Sequence, residues 1–217
     1  MSSSADVSGR SRADRLLDTV RRRILLDIDS AGQWIKQDAL AAELGISKIP
    51  LREALVRLEQ EGLVTSEANR GFFVSPLSRS EAEEVFALRL KLEPEAVAAA
   101  AALATAEERR AAQDAYAALE AATNAHSEEV GTLNRAFHIA LIRPGRQPVT
   151  SGFIEQLHAQ AERYVRKHLE PLGRDTRANE EHDEILAVWL AAEADRAAAL
   201  TRQHIVKTLE DLRKQLG

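Results

Sequence analysis

The sequence predicts a mainly α-helical protein built in two parts. Apolar residues recur every three or four positions through most of the 217 residues, which is the spacing of one helix face. The run from 63 to 75 instead has the strand–turn–strand pattern of a hairpin. Near Pro76 the composition changes from short segments with glycine to a long alanine-rich sequence. We therefore expect a disordered tail at 1–11, a first domain at 12–78 and an all-helical domain at 79–217.

The bulk composition indicates a globular, cytoplasmic protein. Hydrophobic residues make up 45% of the chain and charged residues 29%, which is ordinary for a folded domain. The sequence has no cysteine, so disulfides and thiolate metal sites are excluded. No charge-free apolar run reaches about 18 residues, and the polar start has no apolar signal core. We therefore expect no membrane partner.

The net charge of −5 taken alone argues against a nucleic-acid partner. The distribution of the charge weakens this argument, because residues 1–78 contain 11 basic and 11 acidic side chains and are therefore neutral. A neutral domain can still bind DNA when its cations gather on one face. The sequence pattern must therefore decide the question.

The first part is predicted to contain three helices and a hairpin. The helices are expected at 13–28, 37–44 and 48–61, and the strands at 63–66 and 72–75. Gly45 is suited to end the second helix, and Ser47 is suited to cap the third. Pro50 falls in the first turn of the third helix, where its missing N–H costs little.

Two helices joined by a short turn form the helix-turn-helix unit, whose second helix enters the major groove of DNA by its N-terminal end. The hairpin would be the wing of a winged helix-turn-helix, with Arg70 and Gly71 at its tip. The residues expected to face DNA on the second helix are Ser47, Lys48, Ile49, Arg52 and Arg57. From the pattern alone, a small helical domain with a surface hairpin and no DNA partner fits equally well.

The second part is predicted to be a bundle of six helices. Their expected bounds are 80–104, 107–126, 128–142, 148–169, 176–193 and 195–215. Prolines and glycines at 144–145, 148 and 171–173 mark the clearest breaks. Part of the apolar face of the first of these helices must be covered by the bundle or by a second copy of the chain.

Three histidines are candidate metal ligands because apolar neighbours at helical spacing turn each of them inward. They are His138, with Asn134 one turn before it, His182 and His204, on three different helices. Imidazole nitrogens suit zinc, nickel, copper or iron, and an open coordination position would accept a carboxylate. The alternative is that each is an ordinary core or surface histidine. We expect His126, His158 and His168 on the surface.

Arg89 is the candidate for binding an acidic effector, since an arginine grips a carboxylate through two hydrogen bonds. Glu93 lies four residues further along the same helix. An intrahelical ion pair between the two is an equally good explanation of Arg89.

The run from Leu40 to Val64, LAAELGISKIPLREALVRLEQEGLV, resembles the signature of GntR-family regulators, and RGFFV at 70–74 resembles the end of their wing. The resemblance covers about 60 residues. It implies a homodimer that binds a pseudo-palindromic double-stranded operator, with DNA contacts from Ser47, Lys48, Arg52, Arg57, Arg70 and Gly71. Lys48 replaces the usual arginine and loses its bidentate fork. Ile49 replaces a threonine and is expected to touch a thymine methyl group.

The segment from Leu88 to Ala96 resembles the opening of the FadR-type (FCD) effector domain, and the six-helix count resembles its VanR-like branch. Metal-binding members have an aspartate four residues before a histidine, then an EH motif, then a histidine in the last helix. His138, His182 and His204 match this pattern, and Asn134 replaces the aspartate. The resemblance implies a divalent transition metal, zinc or nickel, and a small organic acid as effector.

These features favour a ligand-responsive transcription regulator over two other classes of protein. A metal-binding helical-bundle enzyme with a DNA anchor would need catalytic motifs. Di-iron bundles use paired Glu-x-x-His motifs, which are absent at the three histidines. We also find no glycine-rich phosphate loop and no nucleophile elbow, so we expect no enzyme. A scaffolding protein of DNA would not need inward histidines.

Overall fold

The computed structural model describes residues 11–26, 32–169 and 174–216 of the chain, apart from a few side chains near 166–175. The expected tail lies almost wholly outside the described residues. The chain divides into two compact units, Met1–Pro76 and Leu77–Gly217. Among the described residues, no helix is long and apolar enough to cross a membrane.

Over its described residues, the first unit contains three helices and a two-stranded antiparallel sheet. The helices are α1 (Arg12–Leu26), α2 (Gln37–Glu43) and α3 (Lys48–Gln60), and the strands are β1 (Val64–Glu67) and β2 (Gly71–Val74). The register pairs Val64 with Val74 and Glu67 with Gly71. A β-bridge between Trp34 and Phe73 extends this sheet. The hairpin was predicted from the sequence, but this bridge was not.

The first unit folds around apolar residues that α1 and α3 direct inward. Val20 of α1 and Leu51, Leu55 and Leu58 of α3 are completely buried. This packing holds α3 by one face, so its other face remains exposed. The predicted end of the first helix, at 27–28, lies outside the described residues.

The second unit is all-helical over its described residues, as the sequence predicts. Its helices are α4 (Arg79–Leu103), α5 (Ala106–Asn124), α6 (Val130–Ile142), α7 (Pro148–Leu169), α8 (Arg174–Leu190) and α9 (Ala194–Gln215), with a 3-10 turn at Arg143–Gly145. Thr105 and Glu108 form a reciprocal capping box that fixes the start of α5. The predicted bounds are wrong mainly for α8, which ends three residues early because Ala192 adopts a left-handed conformation with φ of 60°.

Two apolar clusters fill the bundle. One is built around Phe137 and Trp189, and the other around Phe86 and Tyr164, all four completely buried. On α4, Val85 is buried in the bundle whereas Leu88 stays exposed. Between the two clusters, α4, α6, α7, α8 and α9 bring polar side chains into the interior, and these form the candidate site.

Candidate functional site

The exposed face of α3 carries the side chains that the sequence predicts to meet DNA. Ile49 is 73% exposed, and Lys48, Arg52 and Arg57 are exposed beside it. Ser47 occupies the N-cap position of α3, but its side chain makes no capping hydrogen bond. A hydroxyl in that position can donate to a phosphate at the helix N-terminus, where backbone N–H groups also favour an anion.

The turn between β1 and β2 places Arg70 at an exposed tip, and Gly71, which is half-buried, begins β2 directly after it. Gly71 has a φ of 94°, a conformation that side chains rarely adopt. A Cβ atom there would also lie 3.2 Å from the side chains of Gln37 and Trp34. Gly71 is therefore required by the fold of the wing itself, a reason that the sequence analysis missed.

Three of the four cations on this surface are paired with a carboxylate of the same unit. Lys48 pairs with Asp38 of α2, and Arg70 pairs with Glu67 of β1. Arg57 donates from both terminal nitrogens to one oxygen of Asp14 in α1, at 3.1 and 3.2 Å. Lys48 and Arg57 meet their partners only in the folded unit, because those carboxylates lie on other helices. Arg70 and Glu67 are only three positions apart.

The second unit brings His138, His182 and His204 together from α6, α8 and α9, all buried. Their ring centroids lie 5.1 Å apart for His138 and His182, 4.6 Å for His182 and His204, and 5.3 Å for His138 and His204. Burial lowers the pKa of His138 and of His182 well below the usual range, and the neighbouring histidines lower it further. These two imidazoles are therefore neutral at pH 7, the form that binds a metal ion.

The geometry of the three imidazoles fits a metal ion. The Nε2 atoms of His182 and His204 lie 3.3 Å apart. Two ligands about 2.05 Å from a tetrahedral zinc ion are separated by about 3.3 Å, so this distance is the one a metal site needs. The Nε2 atom of His138 is buried without a hydrogen-bond partner among the described residues, and a bound metal ion would give this nitrogen a partner. Asn134 is 7% exposed and lines the same cavity as His138 and His204.

Glu181 is a functional candidate that the sequence analysis missed, although it directly precedes His182. Its Oε2 atom lies 2.8 Å from Nδ1 of His204, and its Oε1 atom accepts from Lys207 at 2.9 Å. A carboxylate on one ring nitrogen fixes the tautomer and leaves the other nitrogen free to bind a metal. The sequence signal was the acidic residue of the EH pair, which we interpreted only as part of a motif.

The prediction that His158 lies on the surface is wrong. His158 is 2% exposed, and its Nε2 atom lies 3.0 Å from Glu93. The error arose because α7 is covered on that side by α4 and α6, and sequence periodicity does not show which helices are neighbours. His126 is exposed as expected, and the side chain of His168 lies outside the described residues.

Arg89 is buried and makes the intrahelical pair. Its Nε and Nη2 atoms donate to the two oxygens of Glu93 at 2.5 and 3.2 Å. Burial alone would raise the pKa of Glu93, but Arg89 and His158 outweigh it and lower that pKa to about 2. Glu93, His138 and His158 also lie close enough to hold a cation, but the Arg89 guanidinium already balances this carboxylate.

Arg89 also lines the cavity of the histidine cluster, so the ion pair and a place in the pocket coexist. The cavity has a volume of about 10 Å³, room for one water-sized group. Its remaining lining comes from α7, α8 and α9, namely Val165, Ala178, Ile205 and Thr208. An organic acid could enter only if these helices moved apart.

Both units match known families. The first matches the family described as bacterial regulatory proteins, gntR family, over residues 12–74, and the second matches the FCD domain over residues 84–207. The chain belongs to the GntR family. This GntR-family protein is a ligand-responsive, DNA-binding transcription regulator with a winged helix-turn-helix and an FCD effector domain.

Relatives of this GntR-family regulator cover most of its length. It is 28% identical over 181 residues to the Nta operon transcriptional regulator of Aminobacter aminovorans, covering 83% of this chain and 85% of that protein. It is 29% identical over 213 residues to the uncharacterized HTH-type transcriptional regulator BphR of Paraburkholderia xenovorans, covering 92% of this chain and 86% of that protein. The structure of Escherichia coli McbR/YncC superposes with a TM-score of 0.81 at 21% identity, covering 96% of this chain and all of that one.

Proposed function

We propose that this regulator senses a small organic acid through a divalent transition metal bound in the FCD domain. The observation that carries the proposal is the meeting of three buried imidazoles, two of them with ligand nitrogens 3.3 Å apart. His138, His182 and His204 would supply nitrogen ligands, and Asn134 its amide oxygen or a bound water. Zinc and nickel suit a set of imidazoles with no thiolate.

The effector would complete the coordination of the metal with a carboxylate. Arg89 lines the same cavity and would give the second anchor for that anion. To do so it must either bind through its Nη1 end or leave Glu93, which accepts from the Nε and Nη2 atoms on one edge of its guanidinium. Because the cavity has room for only a water-sized group, effector binding would separate the helices around it. That movement is the signal available to the DNA-binding unit.

On the DNA side, α3 would enter the major groove of a pseudo-palindromic operator, with one half-site for each protomer of a homodimer. Lys48 and Arg52 would contact base edges or phosphates, and Ile49 a thymine methyl group. Arg70 at the wing tip would follow the minor groove. Ser47 and Arg57 would bind phosphates.

We infer a regulator of transcription in the cytoplasm rather than an enzyme, because the full-length relatives are transcriptional regulators. The three histidines also lack the paired Glu-x-x-His motifs of di-iron bundle enzymes.

The test begins with protein stripped of metal by a chelator and dialysed. Zinc or nickel is titrated against a competing chelator, and the operator is obtained by selecting bound duplexes from a random library. The proposal requires tight binding of about one metal ion per chain, and a single pseudo-palindromic motif among the selected duplexes. Absence of metal binding refutes the metal part alone, whereas absence of a selected motif refutes the DNA contacts.

A further inference from the structure

The surface that faces DNA in the proposed function carries an ion pair for nearly every cation. Asp14, Asp38 and Glu67 come from three different elements, α1, α2 and β1, and each lies against a different cation. Arg52 is the exception, since it has no ion-pair partner among the described residues. Such a repeated arrangement calls for a physical reason.

Stability of the fold is a weak reason for these pairs. All three are exposed, with side chains between 45% and 76% accessible. Exposed ion pairs typically contribute between 0 and about 1 kcal/mol, because water screens both charges and two side chains lose freedom. The unit already has a buried apolar core that holds α1 against α3. The main effect of the pairs is therefore on how strongly the three cations bind an external anion.

We propose that Asp14, Asp38 and Glu67 are specificity-determining residues that suppress non-specific DNA binding. The inference rests on the proposed contacts of Lys48, Arg57 and Arg70 with DNA. A cation that binds a phosphate must first give up its carboxylate, and that carboxylate then stays close to the phosphate and repels it.

The carboxylates act more strongly on non-specific than on specific binding. Non-specific affinity comes almost entirely from cation–phosphate contacts and counterion release. A cation already neutralised by its own protein gains less from meeting a phosphate. Base-edge hydrogen bonds are retained at the operator, and Arg52, the cation without a carboxylate, is the expected base reader. The ratio of specific to non-specific affinity rises as a result.

A second role for the same carboxylates predicts the opposite sign. If Asp38 held Lys48 in the orientation that DNA requires, removing the carboxylate would weaken DNA binding. The sign of the change in affinity therefore separates suppression from positioning.

The experiment measures binding of the whole protein to a labelled random-sequence duplex of about 30 base pairs by fluorescence anisotropy, across a series of salt concentrations. The variants are Asp38→Asn and Glu67→Gln, because both side chains are exposed. Asp14 is left unchanged because its carboxylate also accepts a hydrogen bond from Ser11 Oγ, to which its backbone N–H donates in turn. Asp114→Asn removes an equal charge from an exposed site on α5 and is the matched control. Lys48→Ala reports whether Lys48 contacts DNA at all.

Asp38→Asn and Glu67→Gln are each expected to tighten binding about threefold to tenfold at low salt, and to make the log–log salt slope steeper by about 0.9, the value of one added phosphate contact. Asp114→Asn should change affinity less than about twofold, and Lys48→Ala should weaken it. If Lys48→Ala weakens binding while Asp38→Asn and Glu67→Gln leave it unchanged or weaker, the inference is wrong and the DNA contact stands. If Lys48→Ala has no effect, the proposed contact of Lys48 fails, and suppression by Asp38 fails with it.

Discussion

Changing Asn134 to aspartate should increase metal affinity about tenfold to a hundredfold. Asn134 lines the cavity beside His138 and His204, so the new carboxylate would lie close to a bound cation. A unit charge about 4 Å from a dication gains about 8 kcal/mol at an effective dielectric of about 20. Most of this gain is lost to desolvation, because the side chain at this position is 7% exposed. The remaining 1.4 to 2.7 kcal/mol, roughly, corresponds to the predicted change in affinity.

The same substitution should make the metal-free protein less stable. Without a bound metal ion, the carboxylate introduced by Asn134→Asp would be buried in the cavity. Arg89 lines that cavity, but it is already paired with Glu93, so the new charge would lack a full counter-charge. The rise in melting temperature on adding zinc or nickel should therefore be larger for Asn134→Asp than for the wild type. His182→Ala should abolish tight binding, since it removes a nitrogen ligand.

The assay is a titration of zinc or nickel against a competing chelator, run in parallel on the wild type, Asn134→Asp and His182→Ala. Thermal unfolding with and without metal gives the second measurement. Equal affinity of all three proteins, or no binding by any of them, would show that the histidines are core residues or direct effector contacts. The DNA-binding assignment does not depend on this outcome.

The remaining predictions concern the DNA-facing helix, the buried ion pair, the metal site and the oligomeric state. Arg52→Ala should lose about 1–3 kcal/mol of operator affinity and relax sequence preference at one base pair. If the variant gives the same DNA footprint as the wild type, Arg52 does not read a base. Glu93→Gln should destabilise the protein by about 3–5 kcal/mol in urea unfolding, because it leaves buried Arg89 without a counter-charge. The double variant with Arg89→Met should recover much of this lost stability. If it recovers none, loss of the ion pair is not the cause. Because the folded pKa of Glu93 is lowered from 4.5 to about 2, the stabilisation by this pair is complete above pH 4.5 and is lost as the pH falls through 2. Glu181→Gln should weaken metal binding about tenfold with little change in melting temperature, and equal affinity would assign Glu181 a purely structural role. Sedimentation should show a dimer at micromolar concentration, covering apolar surface such as Leu88 on α4; a monomer would refute the dimeric arrangement.

The sequence alone determined the fold class and nearly all of the elements. Helices and hairpins depend on local spacing, caps and breakers, which a single chain displays directly. The Leu40–Val64 run was specific enough to identify the DNA-binding unit. The inward direction of His138, His182 and His204 also followed from local spacing, because each is flanked by apolar residues on its own helix.

Helix ends were less predictable where a residue adopts an unusual backbone conformation. The alanines after Leu190 have high helix propensity, so the sequence predicted that α8 continues to 193. In the structure Ala192 turns into the left-handed region and α8 ends at Leu190. There the backbone N–H groups of Ala192 and Glu193 donate back to Trp189 and Val188, and Arg109 of α5 donates to the carbonyl of Leu190. Helix propensity does not report such contacts.

Contacts between elements were decided only by the tertiary structure. His158 was expected on the surface, but α4 and α6 cover it, and it shares Glu93 with Arg89. Glu181 contacts a histidine 23 positions away, and Asp14 reaches Arg57 across 43 positions. The sequence determines which face of each helix is apolar. Which helices pack against that face, and therefore which charges meet, depends on the packing of the whole bundle, because such pairs carry no signal in local spacing.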